Sequence, residues 1–327
     1  MFNRRQLSAL LAAALAAMAV PAQAQTVIDK PLKIVVGFPA GGAADSVARL
    51  LADQLRGSYA PSTLVDNKAG AGGRLGAQAV KAGDADGSTL LVTPASILTI
   101  YPHVYKKLGY DTLADFTPVS SAAKVTFAFS VSAGVPASVK TLADYVAWAR
   151  ANPKDANFGS AAAGATPHFV GTMLGRAAGL ALNHVPYKGG APLVSDLLGG
   201  QIQAGVNVLP EVLQHAAAGK IRILAVSGAR RSRFLPAVPT FAEAGFKDVE
   251  AEEYFAVFVP ARTPAPIVAR LNAAVRAALQ AKPVVAGLEK MSFDVEGESP
   301  AEFAAIVKKE LERWGPIVKA SGFSSED

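Results

Sequence analysis

Cysteine is absent from this sequence of 327 residues. Its absence excludes disulfide bonds, thiolate metal sites, cysteine nucleophiles and a lipid anchor carried on cysteine. The fold must therefore be stabilised by an apolar core alone, and hydrophobic residues make up 51% of the chain. A chain of this length can bury such a core, and the length favours two domains.

Aromatic residues and grouped positive charges are also scarce. Aromatics make up 7% of the sequence, and the basic residues behind its net charge of +6 are scattered along it. A nucleic-acid-binding surface normally combines a basic stripe with stacking aromatic side chains, so we expect no nucleic-acid partner. The histidines lack the spacing of metal ligands, so we expect no metal site. They are His103, His168, His184 and His215.

The long apolar run of this sequence lies at its N-terminus. Arg4 and Arg5 precede an apolar segment, Leu7 to Val20, which Ala22-Gln23-Ala24 follows. This order is typical of a cleaved secretory signal peptide, and the segment is short for a membrane span. We therefore expect residues 1–24 to be a signal peptide cleaved after Ala24 and the mature chain to be exported and soluble. The arginine pair leaves Sec and Tat export both open.

Short β-rich runs alternate with amphipathic helical stretches along the rest of the chain, which is typical of α/β architecture with mostly parallel sheets. Two β-rich stretches, Val125–Val131 and Tyr254–Val259, have the character of crossovers between domains. The pattern predicts two α/β lobes joined by two crossover strands, with a ligand cleft between them that closes by hinge motion. We assign residues 25–120 and 256–327 to lobe 1 and residues 121–255 to lobe 2.

The last helix should begin at Ser299, with Pro300 in its first turn and Glu302 completing a capping box. Its apolar stripe is expected to pack onto lobe 1. The residues of that stripe are Phe303, Ile306, Val307, Leu311 and Trp314.

The strongest local signal is the segment Lys33–Asp45. Ile34–Val36 predicts a buried strand, which breaks at Pro39 and at Gly41-Gly42 before a helical pattern begins. The first N–H groups of that helix lack partners, and the helix dipole adds partial positive charge there. Glycines also let a ligand approach the backbone closely. The segment therefore predicts an anion site, suited to a carboxylate or a phosphate.

No catalytic constellation accompanies this anion site in the sequence. The run Gly70–Gly76 lacks the G-x-G-x-x-G spacing, which argues against a nicotinamide cofactor. Ser160 lacks the G-x-S-x-G context and has no obvious base near it in the chain. Glu252 and Glu253 are adjacent in a predicted strand, so they should face opposite ways. We expect a non-enzymatic binding protein with no cofactor; an enzyme of acyl or phosphoryl chemistry on a similar bilobed fold stays open.

An ordered set of motifs makes the sequence resemble the tripartite tricarboxylate transporter substrate-binding proteins, also known as the Bug family of bacterial periplasmic receptors. The resemblance covers Pro31–Phe323. The matching motifs are Phe38-Pro-Ala-Gly-Gly42 with Asp45, Asp66-Asn67 followed by Gly70–Gly73, Asp115–Pro118, Val185–Gly190, Asp196–Gly200, Arg231-Ser232, Val238–Thr240 and Glu243–Gly245.

The resemblance implies a type II periplasmic-binding-protein fold and a Venus-flytrap mechanism in the periplasm. It implies a monomeric receptor that captures a small organic carboxylate and delivers it to the integral-membrane subunits of a secondary transporter. A ligand sensor presented to a membrane kinase and a receptor for an ABC permease stay open as alternatives on the same fold.

The resemblance also implies which residues bind the ligand. In such families the backbone amides of the first glycine loop hold a carboxylate of the ligand, often through water. Two positions depart from the family pattern, because Asn207 stands where an aspartate is frequent and Tyr254 where a tryptophan is common. The loss of that acid argues against an amino-acid ligand. The implied site consists of Phe38, Ala40, Gly41, Gly42 and Asp45 in the loop, of Thr93, Ser96, Gly159, Ser160 and Thr166 on the other walls, and of Tyr187, Lys188, Asn207 and Tyr254.

Overall fold

The structure is a computed structural model and describes residues 27–325. The predicted signal peptide, residues 1–24, and its cleavage site after Ala24 lie outside the described residues. Within the described range, no helix is both long enough and apolar enough to cross a membrane.

Strands and helices alternate along the described chain. The strands are β1 (Leu32–Val36), β2 (Thr63–Asn67), β3 (Thr89–Pro94), β4 (Phe116–Val125), β5 (Phe127–Val131), β6 (Asn157–Ser160), β7 (Asn183–Pro186), β8 (Ala204–Val208), β9 (Arg222–Val226), β10 (Glu253–Pro260) and β11 (Asp294–Val295). The helices are α1 (Ala43–Leu55), α2 (Arg74–Lys81), α3 (Ser96–Thr99), α4 (Tyr101–Val104), α5 (Thr112–Asp115), α6 (Leu142–Ala151), α7 (Thr166–Ala178), α8 (Gly190–Leu198), α9 (Leu209–Ala217), α10 (Ala265–Gln280), α11 (Lys282–Lys290) and α12 (Pro300–Ser321), and a 3₁₀ turn (Ala71–Gly73) precedes α2.

The strands form two mixed sheets, one for each lobe. The first sheet has six strands in the order β11-β4-β10-β3-β1-β2, and the second has five in the order β7-β6-β8-β5-β9. In the first sheet β1 is parallel to β2 and β3, whereas β10 is antiparallel to β3 and β4. In the second sheet β6 is parallel to β7 and β8, whereas β5 is antiparallel to β8 and β9.

The crossovers lie at the ends of β4 and β10, and both of these strands belong to the first sheet along their whole length. β4 pairs with β10 from Val125 opposite Glu253 to Phe116 opposite Pro260. Only Thr126 separates β4 from β5. The predicted lobe boundaries at 120/121 and 255/256 therefore fall inside β4 and β10, a few residues from the ends at which the chain changes sheets.

The register of the crossover strands determines which edges of the two sheets face each other. Phe127, the first residue after the first crossover, pairs with Val208 at the carboxyl end of β8. Phe255, near the second crossover, pairs with Pro94 at the carboxyl end of β3. The crossovers thus enter each sheet beside the carboxyl ends of its parallel strands. The loops after β1, β2 and β3 therefore face the loops after β6, β7 and β8 across one cleft.

Helix α12 packs against the cores of both lobes. Phe303 and Val307 belong to a buried cluster with lobe 1 side chains, whereas Trp314 and Val318 belong to the buried cluster of lobe 2 that includes Phe169. The predicted packing of the apolar stripe onto lobe 1 is therefore confirmed for Phe303 and Val307, and it is wrong for Trp314, which packs against lobe 2. A helix of 22 residues is about 33 Å long, which is enough to reach from one core to the other.

We predict that Trp314→Ala lowers the free energy of unfolding by about 3–5 kcal/mol, because it empties a site in the lobe 2 core that is 1% exposed. Urea-induced unfolding followed by circular dichroism measures the loss. Lys308→Ala, on the same helix with a side chain 67% exposed, is the control and should change stability by less than about 0.5 kcal/mol. Equal effects of the two substitutions would contradict the placement of α12.

Candidate functional site

The glycine loop between β1 and α1 is held in shape by a buried carboxylate. Asp45 is 2% exposed and accepts hydrogen bonds from the Gly41 N–H at 2.8 Å, Arg49 Nε at 2.9 Å and Asn67 Nδ2 at 2.9 Å. Burial raises the pKa of Asp45, but the hydrogen bonds from Arg49, Gly41 and Asn67 outweigh it and hold the pKa below its ordinary value. Asp45 is thus a stable anion that organises the loop from beneath.

This arrangement changes the predicted roles within the loop. The Gly41 N–H is directed at Asp45, so Gly41 contributes its left-handed backbone (φ 84°) rather than a donor to the cleft. Ala40, Gly41 and Gly42 are exposed, and Phe38 packs partly against the core. Because α1 begins at Ala43, the N–H groups of its first turn have no carbonyl one turn earlier in the helix.

The glycine-rich run after β2 supports the same loop. Asn67 Nδ2, at the end of β2, also donates to the Phe38 carbonyl at 3.0 Å. A Cβ on Gly37 would lie 2.5 Å from the Gly73 carbonyl oxygen, and a Cβ on Gly76 would lie 2.6 Å from the Gly37 Cα. The glycines therefore permit a close backbone approach between two neighbouring loops of lobe 1.

Glu253, at the start of β10, joins the two lobes. Its carboxylate is 7% exposed and accepts hydrogen bonds from the Ser96 N–H of lobe 1 at 3.1 Å and from the Thr166 hydroxyl of lobe 2 at 2.8 Å. Burial raises the pKa of Glu253, and the hydrogen bonds from Ser96 and Thr166 oppose that rise. Glu253 thus brings together Ser96 and Thr166, two residues of the predicted site. In the sequence, Glu253 stood out only as one of two adjacent acidic residues.

Ser160, at the end of β6, has a histidine beside it that the sequence did not reveal. His184 Nε2 lies 2.8 Å from Ser160 Oγ, which also donates to the Ala162 carbonyl at 3.0 Å. Since a hydroxyl has one proton and a carbonyl can only accept, His184 must be the donor toward Ser160. In this arrangement His184 donates to the hydroxyl and does not act as its base.

A second histidine completes this wall of lobe 2. The His168 ring stacks on the His184 ring with centroids 3.9 Å apart, and His168 Nδ1 accepts from the Gly164 N–H at 3.1 Å. Burial lowers the pKa of His168 to about 3 and that of His184 to about 4. Both rings are therefore neutral at neutral pH. Within residues 27–325, no group of three or more acidic or histidine side chains could hold a metal ion.

The tyrosines of the predicted site make hydrogen bonds within the protein. Tyr187 donates to Asp196 Oδ2 at 2.8 Å, and Tyr254 donates to Glu252 Oε2 at 3.1 Å. The Tyr187 ring also lies 2.8 Å from the position that a Cβ on Gly159 would take, so Gly159 makes room for the ring. These three residues thus shape the rim, while Lys188 beside them is exposed.

Two buried polar residues of the predicted site have unused hydrogen-bonding atoms. Thr93 is 0% exposed and Asn207 is 1% exposed. Neither Thr93 Oγ1 nor Asn207 Oδ1 has a hydrogen-bond partner within the described residues. The Asn207 amide group does donate to Glu211 Oε2, at 3.4 Å. Glu211 is an acid near the cleft that the sequence-based reasoning missed, although its place in the first turn after β8 was a usable signal.

Comparison with known proteins identifies the family to which this two-lobed architecture belongs. Residues 47–323 match the family described as tripartite tricarboxylate transporter family receptor. The chain belongs to this family. It is 34% identical to protein BugT of Bordetella pertussis over 310 residues, which cover 94% of each chain. Members of the family are periplasmic solute-binding receptors.

Solved structures agree with this assignment. Rpa4515 of R. palustris with adipate is 34% identical, with a TM-score of 0.80 over 90% of this chain and 98% of that one. The periplasmic binding protein BugD is 31% identical, with a TM-score of 0.76 over 90% and 98%. MatC of Rhodopseudomonas palustris with bound malate is 28% identical, with a TM-score of 0.76 over 88% and 98%. The predicted family and the predicted periplasmic-binding-protein fold are confirmed.

We predict that stability falls as the pH is lowered from 6.5 towards 4. The pKa of His184 is about 4 in the folded protein, whereas a histidine in an unfolded chain titrates at about 6.5, so the unfolded state binds more protons between these values. His184→Gln should reduce this loss by up to about 1.4 kcal/mol per pH unit.

Chemical unfolding across that pH range measures the slope. His215→Gln, on helix α9 and outside the stacked pair, is the control and should keep the wild-type slope. A wild-type slope in His184→Gln would show that the buried imidazole is not the source of the pH dependence.

Proposed function

We propose that this protein is an exported periplasmic receptor that captures a small organic carboxylate between its lobes. It delivers the ligand to the integral-membrane subunits of a tripartite tricarboxylate-type secondary transporter and catalyses no reaction. The observation that carries the proposal is the exposed glycine loop in front of α1, which a buried, ionised Asp45 holds in shape.

The chemistry of this loop favours an anion of carboxylate size. The N-cap of α1 makes no side-chain hydrogen bond within residues 27–325, and the positive end of the helix dipole lies at the same first turn. Ala40 and Gly42 leave the approach to this turn open, because neither presents a side chain larger than a methyl group. The relatives with adipate and with malate are consistent with a carboxylate, since both of those compounds are organic acids.

The crossovers support capture by hinge closure. Both cross between the sheets beside the cleft, and the Glu253 carboxylate ties Ser96 and Thr166 together at that place. Rotation of the lobes about the crossovers would leave this cluster intact and bring the outer loops together over the ligand. A receptor needs such a movement because the membrane subunits must distinguish the loaded form from the empty one.

The second wall supports binding without catalysis. The Ser160 hydroxyl donates to the Ala162 carbonyl, and His184 Nε2 donates to the hydroxyl, which is an arrangement without a base for Ser160. A protein in this state offers Ser160 as a fixed part of the wall. Incubation with ligand should therefore leave the ligand chemically unchanged.

We predict that Gly42→Val weakens carboxylate binding by about tenfold or more while the apo protein keeps its melting temperature. Gly42 has φ of −79°, and a Cβ there would have Pro39 O at 3.5 Å as its nearest contact, so valine adds bulk to the loop without backbone strain. Gly41→Val is a less clean test, because φ at Gly41 is 84° and valine would strain the turn.

The measurement is a thermal-shift screen of mono-, di- and tricarboxylates, aromatic acids and acidic amino acids, followed by calorimetry on the best ligand. A ligand at a hundred times its Kd stabilises the folded protein by about 2.7 kcal/mol. Ser62→Val, at the opposite edge of the same sheet, is the control and should bind as the wild type does. Wild-type affinity in Gly42→Val, or no stabilisation by any carboxylate, would overturn the proposal.

A further inference from the structure

Glu211 places a carboxylate on the lobe 2 side of the cleft. It lies in the first turn of α9, which follows β8 directly. The Leu209 N–H donates to the carbonyl of Thr126, the crossover residue, at 3.1 Å, so this turn lies beside the crossover. The edge of the second sheet at which β8 ends is the edge that faces lobe 1.

The Glu211 carboxylate is turned toward the start of α8. Its two oxygens lie 2.1 and 2.2 Å from the position that a Cβ on Gly190 would take, so the missing side chain at Gly190 makes room for them. The side-chain donor that the structure gives this carboxylate within residues 27–325 is Asn207 Nδ2, at the long distance of 3.4 Å. Burial raises the pKa of Glu211, and hydrogen bonds from the Asn207 amide and the Val208 backbone N–H oppose that rise.

Asn207 supplies an independent observation, because its side-chain oxygen is buried without a hydrogen-bond donor. It is 1% exposed, and its Oδ1 has no hydrogen-bond partner within the described residues. A buried amide oxygen without a donor is rare in folded proteins. The two side chains together present several acceptor positions and few donors.

We propose that Glu211 and Asn207 receive the hydrogen-bond-donating end of the ligand, so that the ligand is a carboxylic acid carrying an ammonium or hydroxyl group rather than a second carboxylate. This proposal rests on the function proposed above. A second carboxylate on the ligand would be repelled by the Glu211 carboxylate. It would also add hydrogen-bond acceptors beside the side-chain oxygens of Glu211 and Asn207, which need donors. A donor group would satisfy both residues at once.

The position of Glu211 reverses one expectation from the sequence. Asn207 in place of an aspartate suggested a cleft wall without an acid and argued against an amino-acid ligand. Glu211, one helical turn further along the chain, places a carboxyl group on the same wall. An ammonium group on the ligand therefore has a partner available.

The test uses sets of acids that differ only at the end remote from the first carboxylate. Each set has a methyl, hydroxyl, ammonium or carboxylate group at that end, on chains of three to about eight carbons, which spans the sizes of small cleft ligands. Calorimetry gives the affinity of the best acid of each kind for the wild type, for Glu211→Gln and for Asp155→Asn. The last variant makes the same charge change at the opposite edge of the lobe 2 sheet.

We expect the wild type to bind the best hydroxyl- or ammonium-bearing acid about tenfold or more tightly than the best dicarboxylate. Glu211→Gln should reduce this ratio about tenfold, because it removes the charge that repels the second carboxylate. A wild-type circular-dichroism spectrum of Glu211→Gln shows that the variant is folded. Asp155→Asn should keep the wild-type ratio. Asn207→Asp, which adds a charge, should shift the preference further toward ammonium over hydroxyl.

A wild type that prefers dicarboxylates, or a ratio that Glu211→Gln leaves unchanged, would overturn this inference while the proposed function stands. Failure of every acid to bind would overturn both together.

Discussion

The carboxylate of Glu253 is the point at which the two lobes and the second crossover meet. It is buried, and it depends for its stability on donors from both sides of the cleft, the Ser96 N–H and the Thr166 hydroxyl. Separation of either donor would leave a desolvated carboxylate short of hydrogen bonds, which is costly. In the proposed rotation about the crossovers, this innermost cluster stays together and the loops further from the crossovers move the most.

The two proposed contact points for a ligand differ in their chemistry. Lobe 1 offers the N–H groups at the start of α1, in a loop that Asp45 fixes from beneath. Lobe 2 offers the acceptors of Glu211 and Asn207. A ligand with an acid at one end and a donor at the other would match both lobes and hold them together. Each lobe alone binds only one end of such a ligand, so both ends are bound only when the lobes close. The choice of ligand is therefore linked to closure.

Local patterns were sufficient for the architecture of the protein. The β-rich crossovers, the glycine loop and the capping box at Ser299 are consequences of residues adjacent in the chain, and the structure contains all three. The contacts that connect the lobes could not be predicted in this way. Glu253 is separated by 157 residues from Ser96 and by 87 from Thr166, and Trp314 reaches a core in the other lobe. Such contacts depend on how the two lobes pack against each other. The periodicity of hydrophobic residues along the chain predicts helices and strands, but it does not predict this packing.

The proposed closure of the lobes on a carboxylate can be measured directly with spin labels. The sequence has no cysteine, so labels attach only to cysteines that are introduced. Lys68→Cys in lobe 1 and Ala191→Cys in lobe 2, both exposed beside the cleft, would carry the two spin labels. Double electron–electron resonance should give a distance that shortens by more than about 2 Å when a bound carboxylate saturates the protein. The same distance with and without a saturating ligand would contradict capture by closure.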